Sequence, residues 1–148
     1  MRAFTVRQPY TDAIAFGTKR VENRSGGIPA KFLDTWVLLH AAKEPHISGV
    51  TPADLADLSG DSVGGWPEIR SAVIAAIRFS GSHEAAEPRG CCLPWGHSRI
   101  TPDRPVWHWE IAEVTRLAEP VPASGALGFW TPKDNVLEAV HAQLGQVV

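Results

Sequence analysis

Glycine and proline interrupt this chain so often that short elements joined by many turns are what fits between them. Thirteen Gly and twelve Pro stand in 148 residues, each freeing or fixing a backbone angle or removing a ladder donor. Apolar residues make up 44% and charged residues 20%, the balance of one globular domain over residues 1–148 rather than of a disordered chain. A chain of this length buries roughly two-thirds of its unfolded surface, so a core needs neither disulfide nor metal. No run approaches the ~18 apolar residues of a membrane span. Met1-Arg-Ala-Phe-Thr-Val6 enters a strand pattern directly, without the apolar stretch of a signal peptide. A cytoplasmic protein without membrane contact is the expectation.

Charge is unevenly placed. Residues 1–43 hold seven basic side chains (Arg2, Arg7, Lys19, Arg20, Arg24, Lys31, Lys43) against Asp12, Glu22 and Asp34, a balance of +4 that leaves -6 for the rest of a chain whose total is -2. The total excludes a uniformly basic, non-specific nucleic-acid binder. The asymmetry points to an anion-binding patch built from the N-terminal third.

Hydrophobic spacing gives the elements. Ala3 to Val6 reads as a strand and Pro9 to about Phe16 as a short helix ended by Gly17. Lys19 to Asn23 returns to strand, and Trp36 to His40 is a buried strand. Thr51-Pro52-Ala53-Asp54 opens a short helix that stops by Gly60. Ser71 to Ser80 is the clearest long strand, and Val106 to Val114 alternates, with Trp107, Trp109 and Ile111 on one face and His108 and Glu110 on the other. Ala126 to Trp130 supplies a last short strand. Thr131-Pro132-Lys133-Asp134 repeats the capped start, ahead of Val136, Leu137, Val140 and Leu144 at helical spacing. Between the two long strands, residues 81–105 lack periodicity, and an excursion this long is usually functional. The expected class is α+β: a small, partly open mixed β-barrel of five to six strands with flanking short α-helices.

Cys91 and Cys92 are adjacent, which suits neither a disulfide nor the spaced pairs of a zinc knuckle. Six scattered histidines offer no helical pair of ligands. A site assembled in space from His83, Cys91, Cys92 and His97 is the one metal alternative. Reduced, partly buried thiols are the favoured reading, with no metal and no cofactor expected.

Two stretches carry more than a class. Thr5-Val-Arg-Gln-Pro-Tyr10 followed by Ala13-Ile-Ala-Phe-Gly17-Thr-Lys19-Arg-Val-Glu22-Asn23-Arg24-Ser25 resembles the N-terminal signature of the ASCH domain family (activating-signal-cointegrator homology). Val37-Leu-Leu-His40-Ala-Ala-Lys43 resembles that family's next strand. Trp107-His-Trp109, Pro120-Val-Pro122 and Gly125-Ala-Leu-Gly128-Phe-Trp130 resemble the ending of its bacterial and phage branch. The resemblance spans nearly the whole chain and implies a PUA-like barrel that binds single-stranded RNA or a modified nucleotide in a cleft beside the first helix. Arg7, Gln8, Lys19, Glu22, Asn23, Arg24, His40 and Lys43 are then the polar candidates, and Trp95 and Trp130 the stacking ones.

The chemistry of those types fits a nucleotide. Arg7 and Arg24 can clamp an anion bidentately, Glu22 can accept from an exocyclic amine, and Trp95 or Trp130 can stack on a base. Trp36, Trp107 and Trp109, in apolar strands, read as core. Lys19 is a phosphate counter-charge, or a general base if desolvation lowers its pKa. Some ASCH proteins are enzymes, acting on N4-acetylcytidine or on RNA phosphodiesters, and Lys19 with Glu22 are the candidate catalytic pair. In the amidohydrolase branch a threonine nucleophile stands three residues after the lysine, where this chain has Glu22. That branch's later glutamate has Glu84 and Glu87 as positional candidates. A third reading is a protein-interaction module whose basic patch meets an acidic partner.

Overall fold

A computed structural model describes residues 1–60, 66–85, 91–98, 101 and 103–145, with the side chains of Ala56, Leu58 and Ser59 left aside. Its elements, in chain order, are β1 (Ala3–Val6), α1 (Tyr10–Ala15), β2 (Val21–Arg24), β3 (Trp36–Ala41), α2 (Pro52–Ser59), β4 (Ala72–Glu84), β5 (Trp107–Pro122), β6 (Phe129–Trp130) and α3 (Asp134–Leu144). The class is α+β, as expected. The strands form one mixed sheet in the order β2-β5-β4-β3-β1-β6. β1 runs parallel to β3 and antiparallel to β6, while β2 runs antiparallel to β5.

The expectation of a partly open barrel holds as far as a six-stranded mixed sheet: the ladder does not close, and β2 and β6 are the ends of the order. β6 contributes only two residues, both spent on pairing with Ala3 and Phe4 of β1. β4 and β5 outrun their expected ends. β4 continues through Gly81, Ser82, His83 and Glu84, so the expected loop at 81–105 begins later. β5 extends to Pro122. Residues 86–90, 99–100 and 102 of that loop, Glu87 among them, lie outside the described residues.

Caps decide the helix starts. Thr51 opens α2 as a reciprocal box: its Oγ1 accepts from Asp54 N (3.2 Å), and Asp54 Oδ2 accepts from Thr51 N (2.8 Å). α3 starts at Asp134 instead of Thr131; Lys133 is extended at the cap, with no side-chain cap bond. Gly145, at φ 59°, ends it in the left-handed region that glycine tolerates.

The chain packs as two compact units: residues 1–18, 36–77 and 114–148, and residues 19–35 and 78–113. The first is built on α3, whose Val136, Val140 and Leu144 recur every four residues and bury with Ala3, Leu38, Val73, Ala76 and Val121. The second has Phe79 fully buried, its ring 5.7 Å from that of Trp109 and edge-on to it. Phe79 O also accepts from Asp34 N at 2.8 Å. Among the described residues, no helix is long and apolar enough to cross a membrane.

Candidate functional site

The ten binding candidates divide between the units. Arg7, Gln8, His40, Lys43 and Trp130 belong to the first, and Lys19, Glu22, Asn23, Arg24 and Trp95 to the second.

In the first unit three candidates are spent on structure. Gln8 is buried, with Nε2 donating to Asp12 Oδ1 and to Ile69 O (both 2.7 Å) and Oε1 accepting from Asp12 N (3.0 Å). Asp12, also buried, accepts from Glu68 N as well (2.7 Å); burial outweighs these bonds and raises its pKa. His40 Nε2 lies 2.7 Å from Ala123 O, a pure acceptor, so that nitrogen carries the proton. Its Nδ1 then accepts from Thr5 Oγ1 (3.2 Å), which itself accepts from Trp130 Nε1 (2.9 Å). Gly125 closes over the ring: a Cβ there would stand 2.6 Å from His40 Cε1. Arg7 and Lys43 are exposed.

That arrangement suits a neutral imidazole, and burial lowers the His40 pKa below 6.5, against the opposing Ala123 bond. The unfolded chain therefore binds this proton first as pH falls, and the stability present above the unfolded pKa of about 6.5 is lost as pH drops through the folded value. Urea midpoints of the wild type should fall more between about pH 7 and pH 5 than those of His40→Gln. Equal slopes would show that His40 does not carry this dependence.

In the second unit Lys19 precedes β2, and its ammonium reaches forward along the strand. It donates to Val21 O and lies 3.4 Å from Glu22 Oε2, at only 2% exposure. The reorientation that a strand alternation forbids is thus made in the turn after Gly17. Desolvation lowers the Lys19 pKa, with the Glu22 carboxylate opposing that shift and Arg24 adding to it. Arg24 Nε approaches Glu22 Oε1 at 3.7 Å, with the two side chains 33% and 13% exposed.

The register across β2 and β5 sorts the rest. Glu22 stands opposite Trp109 and Arg24 opposite Trp107, so these four share a face. The Arg24 guanidinium lies 5.9 Å from the centroid of the Trp109 ring, within cation–π range. Asn23 points to the other face, opposite His108. Its Nδ2 donates to Trp95 O (3.0 Å) and its Oδ1 accepts from His97 N (2.8 Å), so it fastens the 91–98 segment. Trp95, at 7% exposure, is a packing residue in this segment and presents no open ring face to a base. Glu84 is exposed at the end of β4.

On that second face the structure assembles a group whose fourth member the sequence misplaces. His83, Cys91, Cys92 and His108 bring one donor atom each to within 4.8 Å of the others; His97, expected there, supplies a backbone carbonyl instead. Cys91 Sγ lies 3.3 Å from both His83 Nε2 and His108 Nδ1, and Cys92 Sγ lies 3.5 Å from His83 Nε2. Burial, then the adjacent Cys91, raises the Cys92 pKa, and the bond to Cys91 raises that of His83. The available signal was the alternation that puts His108 and Glu110 on one face of β5, with His83 in the extension of β4.

No protein-family model matches the chain, and no curated protein matches it.

Proposed function

We propose that the chain is an ASCH-type, PUA-like domain that binds single-stranded RNA or a modified nucleotide at Lys19, Glu22 and Arg24. One observation carries the reading: a carboxylate held between a buried ammonium and a partly exposed guanidinium on a strand face floored by Trp109. Lys19 holds the Glu22 carboxylate in place (3.4 Å), and its oxygens can accept from an exocyclic amine or amide N–H. Arg24 has the planar fork that a phosphate oxygen pair requires. Acceptor and cation side by side match a base with its own phosphate. The motif Gly17-Thr-Lys19-Arg-Val-Glu22-Asn23-Arg24 supports the family assignment independently of this geometry.

A second reading has a specific support. Burial lowers the Lys19 pKa, which is what a lysine needs before it can take a proton from water near neutral pH. With Glu22 in place of the threonine nucleophile, hydrolysis of a nucleobase amide then runs without a covalent intermediate: water adds to the carbonyl as Lys19 accepts its proton. The amine leaves when that proton is returned to it.

Fluorescence anisotropy with labelled single-stranded RNA, in a salt series, tests the first reading. Binding should weaken as salt rises. Glu22→Gln should weaken it about 10-fold or more, the scale of one bidentate base contact. Salt-independent binding, or equal affinity in Glu22→Gln and Arg24→Ala, overturns it. Incubation with N4-acetylcytidine beside Lys19→Ala decides the second, which falls if substrate stays intact at high protein concentration.

A further inference from the structure

We propose that His83, Cys91, Cys92 and His108 bind one zinc ion as a tetrahedral Cys2His2 centre that fastens the 91–98 segment to β4 and β5.

The hydrogen-bond pattern around the two imidazoles carries this. His83 Nδ1 lies 3.0 Å from Glu110 Oε1, and His108 Nε2 lies 2.7 Å from His97 O. Carboxylate and carbonyl oxygens only accept, so both of those nitrogens carry protons. In neutral rings the opposite nitrogens, His83 Nε2 and His108 Nδ1, are left as lone pairs. They face each other at 3.2 Å, with both sulfurs beside them. Two lone pairs this close repel unless something positive lies between them. Outer partners of this kind, a carboxylate on one histidine and a backbone carbonyl on another, are what fix metal-binding imidazoles.

The spacings fit the ion. With Zn–N of about 2.0–2.1 Å and Zn–S of about 2.3 Å at tetrahedral angles, ligand atoms stand about 3.3 Å apart for N and N and about 3.6 Å for N and S. The molecule has 3.2 Å for the nitrogen pair and 3.3–3.5 Å for the nitrogen–sulfur pairs given above. Two thiols and two imidazoles select zinc by ligand softness. On binding, each thiol gives its proton to solvent and each histidine binds neutral, so two thiolates balance the charge of one Zn2+. Four protein ligands leave no open position, which makes the centre structural rather than hydrolytic.

The backbone is shaped to this arrangement. Side chains of adjacent extended residues point apart, yet both thiols reach one point because Cys92 adopts φ 61°, a left-handed value unusual for a side-chain-bearing residue. Cys92 O then accepts from Trp95 N (3.1 Å) and Gly96 N (2.8 Å), closing the turn. Gly96 has no room for a side chain: a Cβ would stand 2.3 Å from Cys91 O and 2.8 Å from His108 Cε1.

The test is metal analysis of the full chain purified under reducing conditions without chelator, followed by exchange of zinc for cobalt(II). One zinc per chain is expected, and the cobalt form should show the visible bands of a tetrahedral ion with a near-ultraviolet thiolate-to-cobalt band. Cys91→Ser and Cys92→Ser should each weaken that band, and His108→Gln should shift the visible bands. His97→Gln should change nothing. Glu110→Gln, a positioning change, should keep the spectrum and lower zinc affinity by about 10–100-fold. Substoichiometric zinc together with no thiolate-to-cobalt band in reduced, folded wild type overturns the proposal, even if every variant misfolds. So does a cobalt spectrum that responds to His97→Gln and not to His108→Gln.

Discussion

Phe79→Ala is expected to lower the unfolding free energy by about 3–5 kcal/mol, the range for emptying a buried aromatic site. The ring is fully buried and meets Trp109 edge-on, so truncation removes both its transfer free energy and an aromatic contact. Collapse of the surroundings cannot easily refill the space. The backbone there is tied by Phe79 O to Asp34 N and by the bridge to Leu33. For a chain of this size each kcal/mol lowers the melting temperature by roughly 2–4 °C, so a drop on the order of 10 °C should appear by calorimetry. A loss below about 1 kcal/mol would mean that the site repacks and that Phe79 is not the anchor of its unit. Because Trp109 also floors the face under Arg24, the RNA binding proposed for that face should weaken in this variant as well.

The Lys19–Glu22 pair should respond asymmetrically to truncation, and this is the second large effect. Glu22→Ala leaves a buried ammonium without its carboxylate and should destabilise by up to about 3 kcal/mol. Lys19→Met removes the charge while keeping the length and apolar stem, and should leave stability unchanged or raise it by about 1 kcal/mol or more. Binding or turnover should be lost in both. The pH dependence follows from the direction already given: the folded pKa of Lys19 lies below its usual 10.5. Between the folded value and 10.5 the unfolded chain holds the extra proton, so stability rises with pH across that window. Loss of Glu22 lowers the folded value further and so widens the window at its lower edge, and the stability of Glu22→Ala should begin to rise at a lower pH than that of the wild type. Denaturant midpoints across that window decide the matter. A Lys19→Met variant as unstable as Glu22→Ala would show that the ammonium is a net stabiliser of the fold.

Local patterns were legible wherever one neighbour decides the outcome. The capped start at Thr51 was readable because the box closes within four residues, and the buried stripe of α3 because its period is intrinsic to the helix. β1 ends where its apolar run ends. The length of β6 was not legible: nothing in the stretch from Ala126 to Trp130 marks Phe129 and Trp130 as the two residues that pair with β1. His40, Trp130 and Gln8 have the composition of binding residues, but each is saturated by partners far away in sequence, Ala123 and Thr5 or Ile69. Trp95 misled for the converse reason, since an indole in an aperiodic segment looks exposed until Asn23 pulls that segment down. His108 was hidden because a polar residue opposite two tryptophans reads as facing water, whereas it is 0% exposed. The Lys19–Glu22 pairing was half legible: the sequence supplied the residues, and only the turn before β2 could supply the shared face.

β2 is four residues long, yet it carries residues of both proposed sites. Glu22 and Arg24 serve one face, and the residue between them, Asn23, holds the Cys–His segment from the other. A strand this short has no slack to move one side chain without its neighbours. Occupying either site therefore restricts the same backbone that the other must order, and the restriction has to be counted only once. If both proposed sites are occupied, thermodynamic reciprocity applies: by whatever factor a bound metal tightens the hold on a nucleotide, the nucleotide would tighten the hold on the metal.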